Sequence, residues 1–261
     1  MDIVSHNRKA WNRQSRGDSR WCQPVETDAI ERARQGHWKV ILTPNKAVPR
    51  EWFGDLAGKR LLCLASGGGQ QAPILAAAGA SVISFDNSDE QLDKDRLVAK
   101  RDDLDLRTVQ GDMADLSDFE DEFFDLIFHP VSNVFAQSIR PVWNECGRVL
   151  KSGGRLLAGF MNPAFFLFDH EAIENGGPFE AKFPMPFSDL TSLPPEKLAN
   201  LQEQEDPLEF GHSLEDQIGG QLDAGFALAK TYDDNWDDEA TLLNRFGSFY
   251  LATLAIKTSI S

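Results

Sequence analysis

The sequence predicts an α/β fold in which helices cover a mostly parallel sheet. From residue 61 onward, short apolar segments alternate with longer polar segments of amphipathic character. That alternation is typical of strands separated by helices. Signals that begin and end helices fall between the apolar segments, which supports the same interpretation.

Seven apolar segments are predicted as strands. They are residues 61–65, 81–85, 106–109, 124–128, 155–160, 227–232 and 248–256. Residues 70–78 are predicted as a helix that ends at Gly79, a residue type favoured just past a helix end. The capping-box sequence SDEQ at 88–91 predicts a helix that begins after Asn87 and runs to about Arg101.

Two later helices complete the pattern. Pro141 suits the first turn of a helix that runs through Leu150, and the glycines at 153–154 are predicted to end it. A second capping box, SLED at 213–216, predicts the last helix. Apolar residues follow at helical spacing: Leu214, Ile218 and Leu222.

The charge balance argues against a polyanionic partner. The 261 residues include 26 basic and 41 acidic side chains, a formal net charge of -15, whereas nucleic acid and anionic membranes reward clustered Lys and Arg. Basic residues near the N-terminus are interpreted as a solvated helical face, with RNA contact as the alternative. They are Arg8, Lys9, Arg13, Arg16 and Arg20. No nucleic-acid partner is expected.

The spacing of the cysteines indicates whether a metal site or disulfides are expected, and the hydropathy of the chain indicates whether a signal peptide or membrane span is expected. Cys22, Cys63 and Cys146 lie far apart and form no CxxC pair, so neither a zinc site nor a disulfide framework is predicted. The chain shows neither the apolar core of a signal peptide nor the roughly 18 apolar residues of a membrane span. We expect a cytoplasmic protein without a metal and without membrane insertion.

Three segments stand outside the regular alternation. Residues 1–57 are predicted as a helical N-terminal extension that either covers an edge of the sheet or forms one wall of a site. Residues 162 to about 211 form an irregular, proline-rich insertion, interpreted as a lid with an apolar pocket and alternatively as a small separate core. Its phenylalanines are Phe165, Phe166, Phe168, Phe179, Phe183 and Phe187. The acidic residues at 233–239 are interpreted as a solvated loop.

The stretch LLCLASGGGQQ at 61–71 is the first functional signal. Three glycines after a strand let its backbone approach a ligand, and the next helix offers unpaired N–H groups at its N-terminus. Asp86 ends the second strand, where a carboxylate can accept hydrogen bonds from both hydroxyls of a ribose. Because ligands of open α/β sheets sit at the carboxyl ends of the strands, these features predict a nucleoside-containing cofactor. The glycine pattern alone also fits the dinucleotide fingerprint.

The motifs from residue 61 to 256 resemble, in order, those of the class I S-adenosylmethionine-dependent methyltransferases. The glycine loop resembles their first motif, and GDM at 111–113 resembles their third-strand signature. FFDLIFHPVSNVF at 123–135 is similar to the fourth-strand motif beside the reacting methyl group. GRVLKSGGRLLAGF at 147–160 is similar to the RVLKPGG segment, and the closing YLATLAIK is similar to an antiparallel last strand.

This resemblance implies a Rossmann-like, doubly wound, mostly parallel seven-stranded sheet with an antiparallel last strand. It implies one methyltransferase domain over residues 58–261, with the lid at about 162–211. The implied cofactor is S-adenosylmethionine, with Asp86 on its ribose and Asp112 on its adenine amino group. The implied cofactor-binding residues are Ala65, Ser66, Gly67, Gly68, Gly69, Asp86, Asn87, Asp112, Met113, His129 and Pro130.

The implied activity is methyl transfer to a small acceptor, and the aromatic insertion favours an apolar or aromatic one. His129 is the candidate general base, with anchoring of the HPVSN turn as the alternative. Three positions depart from the family pattern, which usually has an acidic residue at Cys63, glycine at Ala65 and proline at Ser152. A nicotinamide-dependent oxidoreductase and a non-catalytic S-adenosylmethionine-binding protein are the alternative functions.

Overall fold

The computed structural model describes residues 1–17, 19–237 and 240–259. Within these ranges the helices are α1 (Ile3–Arg16), α2 (Thr27–Arg34), α3 (Gln71–Ala77), α4 (Asp89–Asp102), α5 (Arg140–Val149), α6 (His170–Glu174), α7 (Asp189–Ser192), α8 (Pro195–Glu203) and α9 (Gly220–Asp223). The strands are β1 (Arg60–Leu64), β2 (Ser81–Asp86), β3 (Leu106–Gln110), β4 (Phe124–His129), β5 (Leu150–Met161), β6 (Phe187–Ser188), β7 (Phe210–Gly211), β8 (Phe226–Asp234) and β9 (Tyr250–Lys257). The predicted acidic loop is wrong at its start, because Asp233 and Asp234 end β8 and Asp234 accepts hydrogen bonds from residues in the 43–46 segment; Asp238 and Glu239 lie outside the described residues.

Among the described residues, a seven-stranded sheet has the order β3-β2-β1-β4-β5-β9-β8. The strands from β1 to β5 pair in parallel, and β9 runs antiparallel to both β5 and β8. The predicted Rossmann-like sheet with an antiparallel last strand is confirmed.

Strand β1 shows how the core forms on both faces of the sheet. Leu61 and Cys63 pack on one face with residues of α3, whereas Leu62 and Leu64 pack on the other face with residues of α5. All four side chains are fully buried. Burial holds the pKa of the Cys63 thiol well above its ordinary value, so the departure from the family pattern at this position places a neutral side chain in the core.

The serine of each predicted capping box forms its N-cap bond, but neither box is completed, because Gln91 Oε1 has no partner in the described protein and Asp216 Oδ2 accepts from the Ser213 hydroxyl instead. Ser88 Oγ accepts a hydrogen bond from the backbone N–H of Gln91 (3.1 Å), and Ser213 Oγ accepts one from the N–H of Asp216 (3.0 Å). Each bond satisfies an N–H group that a helix terminus leaves without an intrahelical partner. The first helix is α4, and the second opens as a π-helical turn at Glu215–Gly219 that continues into α9.

The glycines at 153–154 do not end a helix, and this prediction is wrong. α5 ends at Val149, and β5 begins at the next residue. The pairing of β4 with β5 shifts register between Phe124 and Leu126. Gly153 has a φ of 75°, which glycine adopts without strain. The glycines therefore lie at an irregularity inside the strand, and the strand begins earlier than the sequence pattern predicts.

Helix α1 is tied to the rest of the chain by its basic residues. Arg8 Nε donates to Asn87 Oδ1 (3.0 Å), and Arg16 Nε donates to the carboxylate of Glu90 at the start of α4 (2.8 Å). On its other side Ile3 packs against Leu208 in a small apolar cluster. The basic residues of α1 therefore serve contacts within the chain.

The insertion at 162–211 contains α6, α7, α8 and the antiparallel pair β6 and β7. The rings of Phe166 and Phe187 stack with centroids 5.3 Å apart, and Phe183 meets Phe187 edge-on at the same distance. These aromatic rings share one apolar cluster with Val134 of the segment after β4, so the insertion packs against the sheet domain and has no separate core in this cluster. None of the helices in the described ranges is long and apolar enough to cross a membrane.

Candidate active site

A cavity of about 760 Å³ runs along the carboxyl edge of the sheet. Residues at or just past the strand ends line it in the order of the strands: Asp112, Asp86, Ala65, Pro130, Met161, Tyr250 and Trp236. Four strand spacings separate Asp86 from Tyr250, which is roughly 19 Å across the sheet. The volume lies in the upper part of the range of about 300–1,000 Å³ for small-molecule sites. The cavity therefore has two distinct ends.

The N-terminal residues form one wall of this cavity. Ile3, Asn7 and Trp11 of α1 line it, and so does Trp21 from the segment that follows. The Trp11 ring meets Phe135 edge-on, with centroids 5.1 Å apart. Of the two roles expected for this region, the structure therefore shows that of a cavity wall.

Asp86 lies at the polar end of the cavity and is half-buried. Its Oδ2 accepts a hydrogen bond from the N–H of Gly67 (2.9 Å), and its Oδ1 accepts one from the N–H of Ser88 (2.9 Å). Burial raises the pKa of Asp86 above its ordinary value, and these N–H groups oppose the rise. A carboxylate oxygen can accept a second hydrogen bond, so each oxygen retains capacity for a ligand hydroxyl.

Two polar side chains near Asp86 have buried oxygens without a hydrogen-bond partner in the described protein. They are Ser66 Oγ and Gln91 Oε1, and both residues line the cavity. Buried polar atoms are normally satisfied, so an orphaned pair in a cavity fits a polar ligand. This end of the cavity therefore suits the ribose and polar groups of a nucleoside cofactor.

Ala65 and Gly67 line the cavity, whereas Gly68 and Gly69 do not. A Cβ atom on Gly68 would lie 2.6 Å from the carbonyl oxygen of Trp21, and one on Gly69 would lie 2.9 Å from the Cβ atom of Pro24. The N-terminal segment is what approaches these two glycines. The N–H groups of both glycines also donate hydrogen bonds within the protein. The Gly68 N–H donates to the Gln91 carbonyl (3.0 Å), and the Gly69 N–H donates to the carboxylate of Asp95.

Ala65 occupies a position where the family pattern usually has glycine. Its φ is 48°, in the left-handed region that glycine adopts freely and alanine does not. Its N–H donates to the carbonyl of Phe85 at 2.7 Å, which fixes the turn after β1. The substitution keeps the loop geometry at a strain of roughly 1 kcal/mol.

Most of the remaining residues predicted to contact the cofactor line the cavity, and one of them also holds α1 in place. Asn87, Asp112, Met113 and Pro130 all line the cavity. The amide of Asn87 is occupied by α1, because its Oδ1 accepts from Arg8 and its Nδ2 donates to the Val4 carbonyl (2.8 Å).

His129 lies beneath the cavity wall and not in it. The ring is fully buried, Nδ1 is 3.0 Å from the carbonyl oxygen of Leu64, and Nε2 contacts Asn133 Oδ1. Burial lowers the pKa of His129, which favours the neutral ring. Because the ring is fully buried and does not line the cavity, a ligand there has no direct access to either nitrogen. The contacts match the alternative role of anchoring the HPVSN turn.

The His129 contact extends into a buried polar network that the sequence pattern did not reveal. Asn133 Nδ2 donates to Gln217 Oε1 (2.9 Å), and Thr253 Oγ1 donates to Gln221 Oε1 (3.0 Å). Gln217 and Gln221 are buried for this reason, whereas the predicted apolar positions Leu214 and Leu222 are 45% and 50% exposed. The helix after Ser213 therefore turns polar side chains inward.

The opposite end of the cavity is aromatic and carries one carboxylate. Met161, Phe165, Tyr250 and Trp236 line it together with Glu209. Glu209 is not among the site residues predicted from the sequence, although an acidic residue between the apolar Leu208 and Phe210 is a signal that could have indicated it. Among the described residues that line this cavity, none is Lys, Arg or His.

A second cavity, of about 270 Å³, adjoins this end. Phe165 and Glu209 line both cavities. Of the other insertion phenylalanines, Phe166, Phe168, Phe183 and Phe187 line the second cavity, while Phe179 is 40% exposed. No group of three or more His, Cys, Asp or Glu side chains placed to hold a metal ion occurs in the described ranges.

Comparisons with known proteins bear on this geometry. The model of the family described as "Methyltransferase domain" matches residues 62–158. A Bacillus subtilis protein named uncharacterized methyltransferase YbaJ is 48% identical over 255 residues, which cover 98% of each chain. A demethylmenaquinone methyltransferase of Clavibacter sepedonicus is 36% identical over 120 residues, 46% of this chain and 45% of that protein.

A solved structure shares the fold over nearly the whole chain. The geranyl diphosphate C-methyltransferase of Streptomyces coelicolor, in complex with Mg²⁺, geranyl diphosphate and S-adenosyl-L-homocysteine, superposes with a TM-score of 0.61 over 99% of each chain, at 14% identity. With the motif order, the seven-stranded sheet and the extended likeness to YbaJ, this similarity of fold completes the assignment. The chain belongs to the class I S-adenosylmethionine-dependent methyltransferases.

Proposed function

We propose that this methyltransferase transfers a methyl group to a small, apolar or aromatic molecule bound at the aromatic end of the cavity. The single observation that carries the proposal is the division of the cavity along the sheet edge. Polar groups gather at β3, β2 and β1, and apolar side chains gather at β5, β9 and β8. A small molecule with a planar or apolar body fits the second set.

The residues at the polar end would hold the cofactor. Asp86 would accept hydrogen bonds from the ribose hydroxyls, and Asp112 would accept one from the adenine amino group. Ser66 Oγ and Gln91 Oε1 would satisfy their open hydrogen bonds on its polar groups. The bound cofactor supplies a methyl group on a positively charged sulfur, already a good leaving group. The protein's part is to align the acceptor with that group and to exclude water.

The insertion and the N-terminal segment would complete the acceptor site. Phe165 and Glu209 bring residues of the segment 162–211 to the cavity, and α1 covers it. We propose that this segment acts as the lid of the domain at 58–261. The names of partial relatives agree with an apolar acceptor, since one is a demethylmenaquinone methyltransferase and another, from Kluyveromyces lactis, is a sterol 24-C-methyltransferase. A cytoplasmic location agrees with the three free cysteines, all buried.

Calorimetric titration tests the cofactor half of the proposal. We expect S-adenosylmethionine and its demethylated product to bind the wild-type protein, and NAD not to bind. Asp86→Ala should weaken binding roughly 10- to 100-fold, because a hydrogen bond to a charged group is worth about 1.5–3 kcal/mol. Asp105→Ala is the matched control, since Asp105 is exposed and precedes β3 at the far edge of the sheet. Unchanged affinity in folded Asp86→Ala would contradict the ribose assignment.

A further inference from the structure

Glu209 is held with its backbone fixed and its side chain at the cavity. Its N–H donates to Asp189 Oδ2 (2.7 Å), and its carbonyl accepts from the N–H of Asp189 (3.1 Å). The side chain of Asn7 in α1 makes two hydrogen bonds to the backbone of the preceding residue, Leu208. Its Oδ1 accepts from the Leu208 N–H (2.8 Å), and its Nδ2 donates to the Leu208 carbonyl (3.1 Å). Leu208 and Phe210 are buried on either side of it. Four hydrogen bonds therefore fix the backbone that carries this carboxylate.

The carboxylate of Glu209 has no hydrogen-bond donor within the described part of the chain. Burial and the nearby charge of Asp189 raise the pKa of Glu209 to about 7. Burial is also the main reason that the pKa of Tyr250 is raised, and the charge of Glu209 adds to that rise. A partly buried carboxylate that no protein group satisfies is suited to accept a hydrogen bond from a ligand.

The other charged groups of the main cavity are three carboxylates and the α-amino group of Met1. Asp86 and Asp112 lie at the cofactor end, and Asp2 Oδ1 caps α1 by accepting from the N–H of Ser5 (3.1 Å). Among the described residues that line this cavity there is no Lys, Arg or His side chain to balance the negative charge of Glu209. An anionic acceptor would therefore meet an unpaired negative charge, whereas an O–H or N–H group would meet an acceptor.

We propose that Glu209 is the catalytic residue on the acceptor side of this site. Its carboxylate accepts a hydrogen bond from the O–H or N–H group of an aromatic acceptor that packs against Phe165 and Tyr250, and it takes that proton during transfer. The acceptor oxygen or nitrogen forms the new bond to the methyl carbon, and the carbon–sulfur bond breaks with its electron pair left on sulfur. The proton goes to a Glu209 carboxylate oxygen, so the step balances. This inference rests on the proposed function.

The ionisation of Glu209 makes the contact pH-dependent. With a pKa of about 7, Glu209 is mostly ionised at pH 8 and mostly protonated at pH 6, so it is the stronger acceptor at pH 8. Other titratable side chains line the two cavities around it: Tyr250 of β9, Asp189 of α7, Lys197 of α8, Glu171 and His170 of α6, Asp169 before α6 and Asp2 before α1. Lys197 is paired with Glu171 at 2.5 Å and does not serve as a partner of Glu209.

The test compares two probes in the complex of the full chain with S-adenosylhomocysteine. 1-Naphthol offers a hydroxyl proton, and 1-methoxynaphthalene lacks it. At pH 8 the wild-type complex should bind 1-naphthol at least about tenfold more tightly than the ether, the value expected for a hydrogen bond to a charged group. Glu209→Gln should reduce that preference to about threefold or less, since a neutral amide is the weaker acceptor. The exposed Glu203→Gln of α8 is the matched control and should keep the wild-type preference.

Each result decides between two outcomes. A preference that falls at pH 6 in the wild type, and is small at both pH values in Glu209→Gln, supports the proposal. An equal preference in wild type and Glu209→Gln overturns it, as does failure of both probes to bind the wild-type complex. If S-adenosylhomocysteine itself does not bind the wild-type protein, the proposed function fails first, and this inference fails with it.

Discussion

Replacement of Asp95 should loosen the glycine loop from beneath. The side chain is fully buried in α4, and its Oδ1 accepts the N–H of Gly69 (2.8 Å) while its Oδ2 accepts the hydroxyl of Ser84 (2.6 Å). Asp95→Ala leaves two buried donors unsatisfied, at about 1–3 kcal/mol each, so the free energy of unfolding should fall by roughly 2–6 kcal/mol. Asp95→Asn should cost much less, because the amide oxygen can accept from Gly69 and the amide nitrogen can donate to Ser84.

The pH dependence of Asp95 separates this explanation from a simple packing defect. Burial raises the pKa of Asp95 from 3.8 to about 7 in the folded protein. Between these values the folded state holds a proton that the unfolded state has lost, so the stability of the wild type falls as pH rises through the window. At about 1.4 kcal/mol for each pH unit, the loss over the whole window is roughly 4–5 kcal/mol. Asp95→Asn has no proton to lose at this position. Its free energy of unfolding should therefore rise relative to that of the wild type between pH 5 and pH 8.

Urea unfolding at pH 5 and pH 8 measures both effects. Asp93→Ala is the matched control, because Asp93 lies on the exposed side of the same helix. We expect it to change the free energy of unfolding by less than about 0.5 kcal/mol. A free energy of unfolding of Asp95→Ala equal to that of the wild type would contradict this explanation. So would a difference in this free energy between Asp95→Asn and the wild type that is the same at both pH values.

Two further predictions concern the sheet edge and the insertion. Gly159→Ala places a Cβ atom 2.2 Å from the carbonyl oxygen of Leu42, so urea unfolding should show a loss of about 1–3 kcal/mol, whereas Gly247→Ala meets nothing within 4 Å and serves as control. Equal stability of the two variants would show that the contact yields easily. Hydrogen exchange should find residues 162–211 less protected than the sheet in the free protein and more protected with S-adenosylhomocysteine and 1-naphthol. Sheet-like protection without ligands would identify a structural subdomain.

The sequence predicted the fold well because its signals are local. The apolar run in β1, the capping boxes at Ser88 and Ser213, and Gly79 after α3 each depend on neighbouring residues in the chain. Asp86 and Asp112 follow from the same logic, since parallel strands bring their carboxyl ends to one edge. Local patterns and strand order are sufficient to place these residues together.

The parts that the sequence did not predict depend on contacts between distant segments. Gly68 looks like a ligand-facing glycine until the carbonyl of Trp21 is found against it. Gln217 reads as a polar surface residue, and only the amide of Asn133 explains its burial. Glu209 reaches the cavity because Asn7, some 200 residues earlier, fixes the backbone beside it. No periodicity encodes such pairs.

The position of α1 between two segments has a consequence for how ligands bind. Through Arg8 the helix holds Asn87, next to Asp86, and through Asn7 it holds Leu208, next to Glu209. A ligand that steadies Asn87 therefore also steadies α1 and the segment that carries Glu209, just before β7. Because coupling between two binding sites is reciprocal, we expect cofactor and acceptor at the two proposed sites to share one ordering cost. Helix α1 thus provides a basis for cooperativity between two molecules bound at opposite ends of the cavity.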